Sequence, residues 1–437
     1  MADHILDVIG LMDPNRYALK ETLEKLFAFL DLEIRLDGKL HRVSTRRLKS
    51  RPYDTLRAEV PYRAILNRGA HWNPHHNSYL TIVAPETYLL NDMLSFFAVD
   101  KNTSYGHMAR LGLQIPPTVA IPQYDYTELK NDPRVNHALM FEDFELFDLK
   151  ECGEEVGYPA FLKPQSGGGW VGVEKVNNYA ELLEAYRRSG DRPMNLQREV
   201  PYREFVRAVG VGPQVLCMHY NPTAELSHDR YMRSSTRAVD FFFISPEERE
   251  EVSRITRVIN AFYNWDHNSC EALIDPSGVI SPIDFANAYP DSSPISLHFY
   301  FPELVKAMAR WLTFVAVTGR KKPVFMAEWP QFLEIAREAD ATHMSYQERL
   351  ERLHAVAMKH FAQDEFESFC ATCLPDFDAQ CYDFFGSDTF SNILEQEVAH
   401  YFKVASERKG RYEHYLGIHN FWMHCELQRI KQQSRLS

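Results

Sequence analysis

The sequence predicts an α+β fold in its central part, preceded by an α/β layer and followed by a helical C-terminal extension. Three observations carry this. Up to about residue 100, apolar strand-like runs alternate with helical ones. From about 156 to 290, short strands bounded by Gly and Pro alternate with charged helical segments. Beyond about 325, the apolar spacing is helical. The expected units are 1–100, 101–325 (with halves at about 101–199 and 200–325) and 326–437.

The elements follow in order. Leu19, Leu23, Leu26, Phe27 and Leu30 line one face of a helix expected over Pro14–Leu30, with Asp13 and Pro14 as cap and first turn. Arg42–Arg51 is locally basic and reads as a solvated face or linker. Tyr62–Leu66 reads as a strand. The segment Arg68–Tyr79 reads as a loop before a second apolar strand, Tyr79–Val83. In the centre, Tyr179–Arg188 and Pro246–Tyr263 are charged helices; in the extension, Pro330–Ala339, Ser345–Phe361 and Phe390–Ala405 are the clearest ones.

Charge and composition set limits. The 437 residues carry 48 Lys and Arg against 60 Asp and Glu, a formal charge of −12. A dedicated nucleic-acid binder would show a basic face, so that class is excluded, although a local pocket for a small anion is not. Residues 326–437 hold 18 acids and 11 bases, so −7 of the −12 lies there. The tail is expected to be a subunit contact in a homo-oligomer, a lid, or a dock for a basic partner. Asp3 and Asp7 interrupt any signal-like start. The most apolar stretch, Phe301–Val317, carries Glu303, Lys306 and Arg310, so no membrane span is expected. Seven cysteines are too few for a disulfide scaffold, and a reducing cytoplasm is the expected compartment. Cys370 and Cys373, with Cys381 and Cys425, match no zinc module, and no metal is read there.

Three segments carry chemistry. In the first, a short strand ends in Lys163-Pro164, and Ser166, Gly167, Gly168, Gly169 and Trp170 lead into a second strand, Val171–Val176. Glycines let backbone N–H groups approach an anion closely. A strand, not a helix, follows them, which excludes the P-loop and dinucleotide fingerprints. A glycine-rich flap with a lysine on its first strand suits a cover over nucleotide phosphates. In the second segment, Gln197 and Glu204 flank a connector between two strands. An amide can satisfy an adenine edge and a carboxylate can accept from ribose hydroxyls. In the third, the Asp275–Gly278 turn joins two apolar strands, which brings Glu271 and Asp284 onto neighbouring strands with Asn287 just beyond. Two carboxylates and an amide oxygen form a hard donor set suited to Mg²⁺.

Taken in order, these segments resemble the ATP-grasp superfamily, which includes D-alanine–D-alanine ligases, bacterial glutathione synthetases and glutamate-adding ligases. The resemblance covers roughly residues 85–295. Leu89-Leu90-Asn91-Asp92, then Asp100-Lys101 and Leu111–Thr118, look like the entry to the nucleotide unit. It implies an ATP-grasp fold, two α+β subdomains clasping ATP, behind an N-terminal α/β pre-ATP-grasp domain. It implies phosphate contacts from Lys101, Lys163 and the Ser166–Trp170 flap. Gln197, or Glu199 in another register, would face the adenine with Val200 in the hinge, and Glu204 would hold the ribose. Glu271, Asp284 and Asn287 would hold the metal. Two departures stand out. Phe285 and Ala286 separate Asp284 from Asn287, one residue more than usual, which a bulge could absorb. Ser269 stands where D-alanine–D-alanine ligases carry an arginine.

The implied activity is an ATP-dependent carboxylate–amine, or carboxylate–thiol, ligation through an acyl phosphate, with ATP and Mg²⁺ and a small-molecule or peptide substrate. The alternatives are a phosphotransferase on the same scaffold and a non-catalytic ATP-binding module. No lysine occurs between Lys175 and Lys306, so arginine must hold the tetrahedral oxygen. Within His228–Arg233, Arg230 is the first candidate and Arg233 accompanies it; Arg207 is next. Arg68, His71, His75 and His76 are expected to meet the first substrate.

Overall fold

The computed structural model describes residues 4–13, 19–91, 93–98, 100–127, 131–134, 136, 142, 145–226, 229–232, 239, 242–287 and 289–436. The first layer is β1 (His4–Met12), α1 (Leu19–Leu30), β2 (Glu33–Leu36), β3 (Lys39–Arg47), β4 (Ala64–Asn67), α2 (Pro74–Val83) and β5 (Tyr88–Leu90). Its sheet has the order β2-β3-β1-β4-β5, parallel except for the β2–β3 hairpin. Leu19, Leu23, Leu26, Phe27 and Leu30 are the buried face of α1, as the spacing requires.

Two expectations are corrected here. Arg42–Arg51 is not a linker: residues up to Arg47 belong to β3, which pairs with β1 and β2 and buries His41 and Val43 by alternation. His41 bonds the buried Asp7 at 2.6 Å. Tyr79–Val83 is not a strand but the end of α2. Asn73 caps that helix by accepting from the backbone N–H groups of His75 and His76, Pro74 fills its first position, and Leu80 and Val83 face inward. The strand that the apolar run suggested is β5 instead.

Then come α3 (Met93–Ala98), α4 (Lys101–Arg110), β6 (Thr118–Ile121), α5 (Leu149–Val156), β7 (Ala160–Pro164), β8 (Glu174–Val176), α6 (Tyr179–Ser189) and β9 (Met194–Arg198). Their antiparallel sheet runs β6-β9-β7-β8. Met194, Leu196, Ala160 and Leu162 pack on α5 and α6, which leaves Lys163 and Gln197 on the opposite face. The flap hairpin is real, but its second strand begins only at Glu174 rather than Val171.

A second antiparallel sheet follows, in the order β11-β10-β12-β13, from β10 (Glu204–Val211), β11 (Gln214–His219), β12 (His267–Ile274) and β13 (Ile280–Asn287), with α7 (Pro246–Phe262) against it. The turn at Asp275 is as expected: its carboxylate accepts from Ser277 and Val279. Two antiparallel sheets with their helices make the central α+β part that the sequence predicts.

The chain continues as α8 (Phe301–Val317), α9 (Trp329–Thr342), α10 (Tyr346–His360), α11 (Gln363–Cys373), α12 (Phe377–Phe385), α13 (Asp388–Tyr401) and α14 (Ala405–Leu436). The C-terminal helical region is therefore present. It is no lid. Helix α8 lies between the first and third sheets, and the tail helices continue the same hydrophobic core. Lys306 on α8 is fully buried and is ringed by Glu303, Asp378 and Glu426, with Arg310 and Arg429 completing the balance. Among the described residues no helix is long and apolar enough to cross a membrane. All seven cysteines are free thiols, and burial pushes Cys370 up to about 11.

Candidate functional site

The site lies where α4, the flap and the two antiparallel sheets meet. Asp100 caps α4 by accepting from the Thr103 N–H, and the Gln165 amide donates to its other oxygen. That bond ties the start of the helix to the end of β7. It places Lys101 so that Nζ donates to the Gly167 carbonyl at 2.6 Å and lies 3.7 Å from the Asp284 carboxylate. Tyr105, one turn on, donates to the backbone carbonyl of Ile283 and stacks edge-on with Phe285. Helix α4 therefore bridges the flap to β13.

Lys163 sits on the same floor. Its Nζ donates to Gln197 Oε1 at 2.7 Å, and Gln197 Nε2 donates to Thr118 Oγ1 at 2.9 Å. Burial pulls the Lys163 ammonium down to about 8, while Asp284 and Glu271 support its charge and Lys101 opposes it. Gln197 is itself buried and both ends of its amide are engaged. It is better read as the lysine's anchor than as the adenine reader the sequence suggested. Glu199 is paired with Lys175 at 2.7 Å, Val200 packs on the core, and the Glu204 carboxylate lies 3.4 Å from His219. Ser166, Gly167, Gly168, Gly169 and Trp170 are all exposed, with Trp170 at φ +65° edge-on to Phe161.

The carboxylates come together through a shift of register: Ala272 pairs with Pro282, so an unbroken ladder would set Glu271 opposite Ile283. Glu271 on β12 faces Asp284 on β13, and Asn287 faces Ser269. Two residues on β12 thus span three on β13, and the register shifts there. This is the bulge that the extra residue demands. Asn287 donates to Ser269 Oγ at 2.9 Å, which leaves its amide oxygen for another partner. Burial, reinforced by Asp284, raises the Glu271 carboxyl above its ordinary range against the pull of Arg207. The two carboxylates and one amide oxygen are a hard set that fits a Mg²⁺-sized cation.

Arg207 is the residue that sequence reasoning ranked too low. It stands on β10 directly opposite Glu271 and makes a charge-assisted contact with it. Its guanidinium lies 4.2 Å over the Tyr220 ring and donates to Tyr231 Oη at 3.2 Å. Arg230 donates to Tyr220 Oη at 3.2 Å, so the first-ranked arginine is one tyrosine away. Ser269 had signalled that an arginine was missing from β12; no feature of the sequence said that β10 would supply one.

The expected first-substrate residues separate. Arg68 is 2% exposed, and its donors go to Asp13, His267 and the Pro290 carbonyl. It ties the first sheet to β12 and is no surface contact, which corrects that expectation. His75 bonds the Arg51 carbonyl, and burial lowers the neighbouring His76. Trp72, 58% exposed, packs edge-on against Tyr289 just past β13. Arg233 and Asp92, and the side chain of His71, lie outside the described residues. No group of three or more His, Cys, Asp or Glu that could hold a metal occurs among the described residues.

No known protein-family profile matches the chain. Among solved structures the chain is similar to an ATP-grasp RimK-domain protein from Sphaerobacter thermophilus, at 14% identity, 70% of this chain, 99% of that one and a TM-score of 0.46. It is similar to the macrocyclase MdnC from Microcystis aeruginosa, bound with precursor peptide MdnA, at 13% identity, 70% and 99% coverage and 0.45. It is also similar to the D-alanine–D-alanine ligase of Bacillus anthracis complexed with ATP, at 14% identity, 83% and 99% coverage and 0.43.

Proposed function

We propose that this chain is an ATP-grasp ligase that joins a carboxylate to an amine, or to a thiol, through an acyl phosphate, releasing ADP and phosphate. One observation carries the reading. Lys101 and Lys163, from the flap side, converge on the facing pair Glu271 and Asp284 of the other sheet. Cations and hard oxygens gathered under a glycine flap are what transfer of a phosphoryl group needs.

The roles follow from the geometry. Lys101 and Lys163 neutralise charge on the transferring phosphoryl group. The exposed flap is free to fold down and exclude water, which would otherwise hydrolyse an acyl phosphate. Glu271, Asp284 and Asn287 would hold Mg²⁺, which would supply Lewis-acid stabilisation of the phosphates. Glu199, Val200 and Glu204, at the connector between the two sheets, would meet the base and ribose. Arg207, which contacts Glu271, and Arg230, one tyrosine away, would supply the positive charge for the oxygen of the tetrahedral intermediate. Trp72, with His75 and His76 on the same segment, borders the first-substrate side.

The test is release of ADP in a screen that pairs carboxylates (amino acids and short peptides) with amines, including polyamines. A ligase turns over only when both partners are present, and hydroxylamine should trap the acyl phosphate as a hydroxamate. A stable phosphate on a single substrate would sink the ligase reading in favour of a phosphotransferase. Tight ATP binding without turnover across the screen would leave only a binding module.

A further inference from the structure

Arg207 and Glu271 are register partners on adjacent strands, and the first carboxylate of the proposed metal set is held by a guanidinium from its own sheet. The guanidinium engages one oxygen of Glu271, Oε1, and its positive charge there opposes a divalent cation on the same carboxylate. The arginine also has somewhere else to go. Tyr220 lies between two guanidinium groups: Arg207 stacks on its face and Arg230 donates to its hydroxyl. The Nε atoms of Arg207 and Arg230 are both buried and lack a partner among the described residues. Buried donors of this kind are costly unless something accepts from them. The acceptor that suits two arginine forks is a carboxylate or a similar planar anion.

We infer that Arg207 is a latch on Glu271. It is a positioning residue that holds the carboxylate away from the cation until an anionic group, a substrate carboxylate, draws its guanidinium toward Arg230. Seating that carboxylate frees Glu271, so metal-bound nucleotide and the carboxylate substrate bind with positive coupling. By linkage the coupling is reciprocal. It would favour completing the metal site only when there is a carboxylate to phosphorylate. The inference rests on the nucleotide reading above.

The test uses the full chain, with ADP titrated calorimetrically in the presence of MgCl2 and in the presence of EDTA. The quantity read is the ratio of the two affinities. The wild type should show a small ratio. Arg207→Gln should raise it about tenfold or more. Arg230→Gln removes the same charge without touching Glu271 and should change it less than about threefold, the size of an ordinary screened charge effect. Malonate, as an anionic probe, should raise the ratio for the wild type and not for Arg207→Gln. If Arg207→Gln does not fold by circular dichroism, Arg207→Lys, which keeps the charge but loses the fork, should still raise the ratio. The latch is refuted if the Arg207 variants are no more metal-dependent than the wild type, if Arg230→Gln matches Arg207→Gln, or if malonate leaves the wild type unchanged. A wild type that binds no ADP in either buffer would instead overturn the nucleotide reading, and the latch with it.

Discussion

Lys163 on β7 donates to Gln197 on β9 at 2.7 Å, so the flap lysine is anchored to the strand beside it before any ligand arrives. Its ammonium is pulled by burial to about 8. It is charged below that pH and neutral above it. ADP affinity should therefore be level at lower pH and fall as pH rises through 8, by up to about tenfold per unit. Lys163→Met should bind more weakly and show no such decline. Calorimetry across this range checks both statements, and a flat wild-type profile would dissociate Lys163 from the nucleotide.

Lys163→Ala and Asp284→Asn should each lower ADP release by about 100-fold or more, since the first removes a positive charge beside the transferring phosphoryl group and the second a proposed ligand of the cation that would neutralise it. Neither residue belongs to the hydrophobic core, so far-ultraviolet circular dichroism and melting should stay near those of the wild type. Full activity in either variant would refute the site.

The buried charge cluster around Lys306 makes the tail part of the body. Lys306→Met alone leaves Glu426, itself buried, without its lysine and should lower stability by about 3–5 kcal/mol. Combining it with Glu426→Leu should recover a good part of that loss. Urea denaturation of the two variants beside the wild type decides it, and a neutral single substitution would show that the tail docks without this cluster.

Asn73 caps α2. Asn73→Ala should cost about 1 kcal/mol, measured as a lower urea midpoint. No change would mean that the segment does not depend on its cap. Asn73→Ser, which can still accept from the backbone, should behave like the wild type.

Much of the site was legible because it is local. The turn at Asp275–Gly278 sets the carboxylates on neighbouring strands, but counting from Ile274 opposite Ile280 would put Glu271 opposite Ile283; a register shift brings it to Asp284, and the extra residue before Asn287 adds a second. Glycines between two short strands likewise announce a flap. The helix at Tyr79–Val83 was misread because so short a run, four apolar residues and a threonine, has no period of its own; the cap six residues earlier decided the matter.

By itself, then, the sequence determined the order of units, the flap, the carboxylate hairpin and the concentration of acid in a helical tail. Tertiary structure alone decided the partners. Gln197 turned out to anchor Lys163, Arg68 to be an internal tie, and Arg207 to grip Glu271. Those pairs lie 34, 199 and 64 residues apart in the chain. Spacing along a strand fixes which face a side chain takes, but not which distant strand will lie beside it. That is set by strand order within each sheet and by how the sheets pack together, and there a buried charge finds the group that compensates it.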